Sequence, residues 1–391
     1  MMTQLAANVS LTLALCLPAA GGDASLAAGE SRASDAGDRA AVDGDRSDRA
    51  GGATVRWITF PDERLQVCGL PWLEENGPHW WRLPKRAAEQ LPPAVARLMR
   101  FPTGARIRFS SDTSSLRIRL KASATLSFGH MSPIGSRGLD AYVDRTYWGS
   151  ATVTQEGEQE LTFFQGAEGG SKEICIYLPS YQEVTVLAVG VDAGAEVGPP
   201  APFAERLPIV FYGSSIAQGA CASRPGMSYE AILARRLNVD YVNLGFSGSG
   251  KAEPEVVELV SRVEACCYVF DLGKSYRTQP ADVYAEMLRN IRADHSDVPI
   301  VCVTPIFSTR ELYDTSYAEL SEYVRRVVAT AVGRRIESGD RQVQLVDGLE
   351  LLGPADADAF QEGVHPSDLG FALVADRLEP TLRKILQQAP R

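Results

Sequence analysis

The hydrophobic periodicity of this chain changes at one short segment, Gly198-Pro199-Pro200-Ala201-Pro202. Before it, apolar residues tend to recur at every second position. After it, short apolar runs alternate with stretches patterned at helical spacing. A period of two suits strands with one buried face, and the second pattern suits parallel strands covered on both faces by helices. A Pro-rich connector is stiff and continues neither pattern, so it marks a domain boundary. An all-β sandwich is therefore expected over residues 54–197, and an α/β domain over residues 203–391.

The strands of the first domain are legible in Ile107 and Phe109, in Leu116, Ile118 and Leu120, and in the runs 160–164, 173–178 and 184–189. Turn formers such as Gly157 and Gly166 to Gly170 flank them, and several short strands at this spacing suggest a sandwich. Residues 85–100 look partly helical, with Pro92 and Pro93 interrupting. In the second domain, strands are expected at 209–212, 241–244, 267–272, 300–304 and 344–346. Helices are expected at 228–237, 255–263, 280–293, 313–337 and 369–388.

The 391 residues give each domain room for its own core. A net charge of −10 argues against nucleic acid or an anionic membrane surface as the main partner. Residues 20–53 are rich in Ala, Gly, Asp, Ser and Arg, cannot bury enough apolar surface to offset their ordering entropy, and read as a disordered linker, with structure beginning near Val55. The apolar run from Val9 to Pro18 looks like a secretory signal, but the first eight residues carry no Lys or Arg. Secreted and cytoplasmic locations both stay open, and the run is too short to span a bilayer as a helix. Cysteines 16, 68, 175, 221, 266, 267 and 302 show no paired spacing, and the four histidines are scattered. Neither a structural metal nor a cofactor is indicated.

The chemistry lies in two segments of the second domain. Tyr212-Gly213-Ser214-Ser215 follows the first buried strand, where α/β folds place reactive groups. Glu362-Gly363-Val364-His365-Pro366 offers a base of near-neutral pKa, with a carboxylate three residues earlier. A serine hydroxyl needs a base to become a nucleophile, and the base needs an acid to fix its tautomer. Ser215, His365 and Glu362 supply all three, with Asp356 and Asp358 as alternative acids. The run from Gly245 to Gly250-Lys251 matches a phosphate-binding loop, yet Ala252 stands where a magnesium-binding hydroxyl belongs. A glycine loop that offers a backbone N–H to an oxyanion fits better.

These blocks resemble the SGNH (GDSL-type) serine hydrolases. Gly213-Ser214-Ser215 matches the first block, with Ser214 where most members have Asp. Gly248 matches the second, and Glu362-Gly363-Val364-His365 the last, with Glu in the acid's place. A closer likeness, from about residue 55 onward, is to the two-domain bacterial subfamily with a Gly-x-Asp-Leu-Tyr motif, here Gly138-Leu139-Asp140-Ala141-Tyr142. The segment from Gly219 to Tyr229 carries the same likeness. The resemblance implies a flavodoxin-like three-layer hydrolase domain behind a jelly-roll-like sandwich. It implies ester hydrolysis through an acyl-enzyme on Ser215, with oxyanion donors from Ser215, Gly248 and a third-block side chain. That donor is normally Asn. Here Asp271-Leu272-Gly273-Lys274-Ser275-Tyr276 puts Ser275 there, a shorter and freely rotating donor.

The expected substrate is a carbohydrate or small-molecule ester. Acyl transfer by the same Ser-His pair is the first alternative, and a catalytically silent carbohydrate-binding descendant is the second. Arg224 and Lys274 are candidate substrate-binding cations, with an ion pair or a solvated surface as the bland alternatives. Trp72, Trp80, Trp81, Trp148 and Tyr142 suit either sugar stacking or plain packing. Whether His130 and Asp140 face the cleft is not written in the sequence.

Overall fold

The computed structural model describes residues 47–50 and 53–388. The expected leader and most of the expected linker lie outside these residues. Strand Ser47–Ala50 pairs antiparallel with Ala53–Thr59, so sheet structure starts slightly upstream of Val55.

Two antiparallel sheets form the first half. One runs in the order Ser47–Ala50, Ala53–Thr59, Val184–Asp192, Leu116–Ala122, Gly157–Phe164. The other runs Val197–Gly198, Arg106–Ser111, Lys172–Tyr177, Gly138–Val143, Thr146–Thr152, with Gln66–Cys68 also paired to Arg106–Ser111. Their inner faces enclose one core that contains Ile107, Phe109, Ile118, Leu120, Ile176 and Val189. Gly138–Val143 is buried on both sides. Leu139, Ala141 and Val143 join the sandwich core, whereas Asp140 and Tyr142 face the second half.

The second half is a five-stranded parallel sheet in the order Tyr241–Gly245, Ile209–Gly213, Cys267–Asp271, Ile300–Val303, Val343–Val346. In sequence terms that is 2-1-3-4-5, the flavodoxin-like order, whose switch point lies beside the first strand. The first three strands are buried along their whole length. Helices Tyr229–Leu237 and Asp368–Gln388 pack together, as do Pro254–Ser261, Ala281–Asp294 and Thr315–Glu337, giving three layers. Ser228 caps the first of these helices by accepting from Ala231 N–H at 3.4 Å. Asn238 ends it in the left-handed region at φ 52°. Among the described residues no helix is long and apolar enough to cross a membrane.

Buried polar contacts join the halves. Asp140, fully buried, receives Gly226 N–H at 2.8 Å, Ser150 Oγ–H at 2.6 Å and the Arg224 guanidinium at 3.1 Å. Arg106 pairs with Asp240 and lies 3.9 Å from the ring centroid of Tyr241. Arg82 has no exposed surface and donates to Leu98 O, Phe101 O, Asn243 O and Gly245 O.

Candidate active site

Ser215 stands just past the first parallel strand, between its two neighbours. Gly213 is required there, because a Cβ would run into the Asp271 carbonyl on the adjacent strand. Ser214 N–H donates to that same carbonyl at 2.9 Å, and the chain then coils so that Ala220 N–H reaches Ser215 O at 2.9 Å. Gln218 ties the coil to its surroundings. Its Oε1 accepts from Ser247 N–H at 2.9 Å, and its Nε2 donates to Ser180 O at 3.1 Å. Arg82 holds the strand that leads to Gly248 from beneath.

His365 comes from a tight turn after the last strand. Phe360 and Pro366 bridge across it, and Gln361 N–H donates to His365 O at 2.9 Å. Ser215 Oγ lies 2.8 Å from His365 Nε2. His365 Nδ1 bonds Glu362 Oε1, and the same oxygen accepts His365 N–H at 3.1 Å. Burial pushes the Glu362 carboxyl up, but the hydrogen bond and charge of His365 outweigh it and leave the group below the usual glutamate range. Glu362 is therefore ionised at neutral pH. Asp356 is engaged elsewhere, paired with Arg377 at 2.6 Å.

Among the described residues, the N–H groups of Ser215 and Gly248 have no protein acceptor. Gly248 is exposed and sits at φ 70°, which suits glycine. Ser275 is half-buried on the one-turn helix Gly273–Tyr276, and its hydroxyl has no protein partner among the described residues. That turn lies against the Ser214–Ser215 coil, since a Cβ on Gly273 would meet Ser214 Oγ at 3.2 Å. The loops after the first, second and third strands thus meet at the switch point.

Neither candidate cation is free. Arg224 Nη1 bonds Tyr142 OH at 2.6 Å and Asp140, and its guanidinium carbon lies 3.8 Å from the Tyr147 ring centroid. Lys274 Nζ donates to Ile306 O at 2.8 Å and Ser308 Oγ at 2.6 Å, and pairs with Glu311 at 2.7 Å. Burial pulls its pKa down to about 8, against the pull of Glu311. Ser308 Oγ–H in turn reaches Val364 O at 3.5 Å, and Arg310 N–H donates to Gly363 O at 3.0 Å. Lys274 therefore anchors the segment that carries the His365 turn.

Trp80, Trp81 and Tyr142 are buried, and Trp148 is 40% exposed. His130, from the sandwich, stacks on His365 with ring centroids 5.5 Å apart, whereas Asp140 belongs to the clasp around Arg224. Sequence reasoning missed Arg82 and Gln218. An arginine inside the run Trp80-Trp81-Arg82-Leu83 was the available sign of a buried charge.

A 2-1-3-4-5 parallel sheet with a serine, a histidine and a carboxylate in one hydrogen-bonded row at its switch point has the architecture of an α/β ester hydrolase. Residues 206–383 match the GDSL-like lipase/acylhydrolase family, and residues 55–197 match the N-terminal GxDLY domain of SGNH-hydrolase-type esterases. The chain belongs to the SGNH/GDSL hydrolase superfamily, in its two-domain form, and is an enzyme acting on ester bonds.

A protein described as a GDSL-like lipase from Bacteroides ovatus ATCC 8483 is 25% identical, with a TM-score of 0.76 over 85% of this chain and 98% of its own. The salicylyl-acyltransferase SsfX3 from a tetracycline biosynthetic pathway is 21% identical, with a TM-score of 0.73 over 90% of this chain and 100% of its own. A family two carbohydrate esterase from Clostridium thermocellum, solved with cellohexaose, is 19% identical, with a TM-score of 0.57 over 73% of this chain and 93% of its own. No curated protein sequence matches the chain.

Proposed function

We propose that this enzyme hydrolyses acyl esters of a carbohydrate or small metabolite through a covalent ester on Ser215. The observation that carries the reading is the row Ser215 Oγ, His365 Nε2, His365 Nδ1, Glu362, beside two backbone N–H groups without acceptors among the described residues. His365 takes the hydroxyl proton as Ser215 Oγ attacks the acyl carbon. Glu362 holds the imidazole in the tautomer that accepts on Nε2 and stabilises the imidazolium. The N–H groups of Ser215 and Gly248, with the Ser275 hydroxyl, receive the developing oxyanion. His365 returns its proton to the leaving alcohol, and a water molecule activated by the same imidazole cleaves the acyl-enzyme.

Water as acceptor is favoured by the openness of the site. The Glu362 side chain is 38% exposed, and Gly248 and His130 lie at the surface. An acyltransferase must exclude water from the same intermediate. Arg224 and Lys274 are positioning residues here rather than substrate ligands, because their ammonium and guanidinium groups already have partners.

A fluorophosphonate probe should label the wild type and fail to label Ser215→Ala, and p-nitrophenyl acetate should turn over without an added acceptor. Turnover that appears only when an alcohol or amine is supplied would make the enzyme a transferase. Unlabelled wild-type protein with no turnover would leave only the silent sugar-binding alternative.

A further inference from the structure

Three residues far apart in sequence meet at the mouth of the site. His130 lies on the connection between strand Leu116–Ala122 and helix Pro133–Arg137, is exposed, and stacks on His365 with the ring planes 14° apart. Its ring makes no hydrogen bond among the described residues. Cys221, on the coil after Ser215, donates its thiol to His130 O at 3.4 Å. One nitrogen of His130, one of His365 and Cys221 Sγ all lie within 4.8 Å of one another. A groove of about 400 Å³, lined in part by His130, Cys221, Ser223 and Asp368, opens onto the first and last of these groups.

Two imidazoles and a thiol are the donors that Zn²⁺ and its soft neighbours take, and harder Mg²⁺ or Ca²⁺ would not choose them. Bonds of about 2.0–2.1 Å to nitrogen and about 2.3 Å to sulfur set tetrahedral ligand atoms roughly 3.5 Å apart. Closing the triangle needs about 1 Å of movement. His130 can supply it, since its ring is exposed and untethered. A thiol coordinates as its thiolate, so the ion must displace the Cys221 proton.

We propose that His130, Cys221 and His365 form a site for a borderline-soft divalent cation of the Zn²⁺ class, and that filling it silences Ser215. His365 Nδ1 is engaged by Glu362, so the ion takes Nε2 and the Ser215 hydrogen bond is lost. Cys221 releases its proton to solvent, His130 coordinates as neutral imidazole, and water completes a tetrahedron of net charge +1. No redox change is involved. The silencing rests on His365 being the base, as proposed above. The coordination does not.

Two readouts separate those clauses. Co²⁺ added to the metal-free enzyme should give a near-ultraviolet thiolate-to-cobalt absorption band that Cys221→Ser lacks. ZnCl₂ should inhibit p-nitrophenyl acetate hydrolysis and EDTA should restore it. The half-inhibiting concentration should rise roughly tenfold or more in Cys221→Ser and in His130→Ala. Without zinc, Cys221→Ser should match the wild type. Equal zinc sensitivity in wild type and both variants, or a cobalt spectrum unchanged by Cys221→Ser, would overturn the site. A Cys221-dependent cobalt band with undiminished hydrolysis in zinc would instead overturn the role of His365 as base.

Discussion

Ser215 and His365 reach each other from segments built in opposite ways. The coil after Gly213 is held from inside: by the Asp271 carbonyl, by Gln218 bridging two loops, and by Arg82 beneath the neighbouring strand. The His365 turn is held at its rim, by the Phe360–Pro366 bridge and the backbone contacts from Ser308 and Arg310, with Glu362 partly in solvent. Damage on the first side should therefore appear in stability, and damage on the second in turnover. Pre-organisation is concentrated around Ser215 and the loop that carries Gly248, and His365 is mounted on a more accessible arm.

Removing the reacting groups tests the pairing itself. Ser215→Ala or His365→Ala should each lower kcat by about 10⁶-fold with an unchanged urea midpoint. Glu362→Gln keeps the shape and loses the charge, so kcat should fall by about 10²–10⁴-fold, again with little change in stability. A large drop in midpoint for Glu362→Gln would mean that the turn depends on that carboxylate to fold. Arg82→Met should do the reverse. It orphans several buried carbonyls at about 1–3 kcal/mol each, so the urea midpoint should fall by an amount equivalent to about 3 kcal/mol or more.

Asp271 offers a pH test of the inner side. Burial raises its carboxyl from 3.8 to about 6, opposed by the Tyr229 hydroxyl and the Lys274 charge. The folded chain thus keeps a proton that the unfolded chain has lost. The stability contributed by this group is complete below the unfolded value and disappears as pH rises through about 6. Asp271→Asn should remove that fall and be the more stable form at pH ~8, by up to about 3 kcal/mol, as read from urea midpoints at pH ~4.5 and ~8. The smallest effect is expected at Ser275. Ser275→Asn should speed p-nitrophenyl acetate hydrolysis by roughly tenfold, part of the worth of one oxyanion donor. A slower variant would mean that the serine is fitted to a different reaction.

Much of this was legible in the sequence. Each of the five parallel strands and five main helices falls within a few residues of its expected position, because buried runs and amphipathic stretches are strong signals. The strand Gly138–Val143 was legible only as a motif. It is buried on both faces, with Leu139, Ala141 and Val143 against the sandwich core and Asp140 and Tyr142 against the hydrolase half, so it is not a strand with one solvated face. Arg82 and Lys274 were not legible as anchors, because a buried cation is defined by carbonyls from distant loops. The meeting of His130, Cys221 and His365 was invisible for the same reason. No local spacing records a contact between the sandwich and the last loop.

The clasp around Asp140 also limits how this architecture can be rearranged. The sandwich contributes a carboxylate and a phenol that the hydrolase half needs to neutralise Arg224 and to hold the Gly226 amide. A chimera with a foreign sandwich would leave that guanidinium without its carboxylate and phenol partners unless both acid and tyrosine travelled with it. The two halves are tied through this clasp as well as through the Arg106–Asp240 pair, and Asp140 and Tyr142 of the Gly-x-Asp-Leu-Tyr-type motif both lie in the clasp.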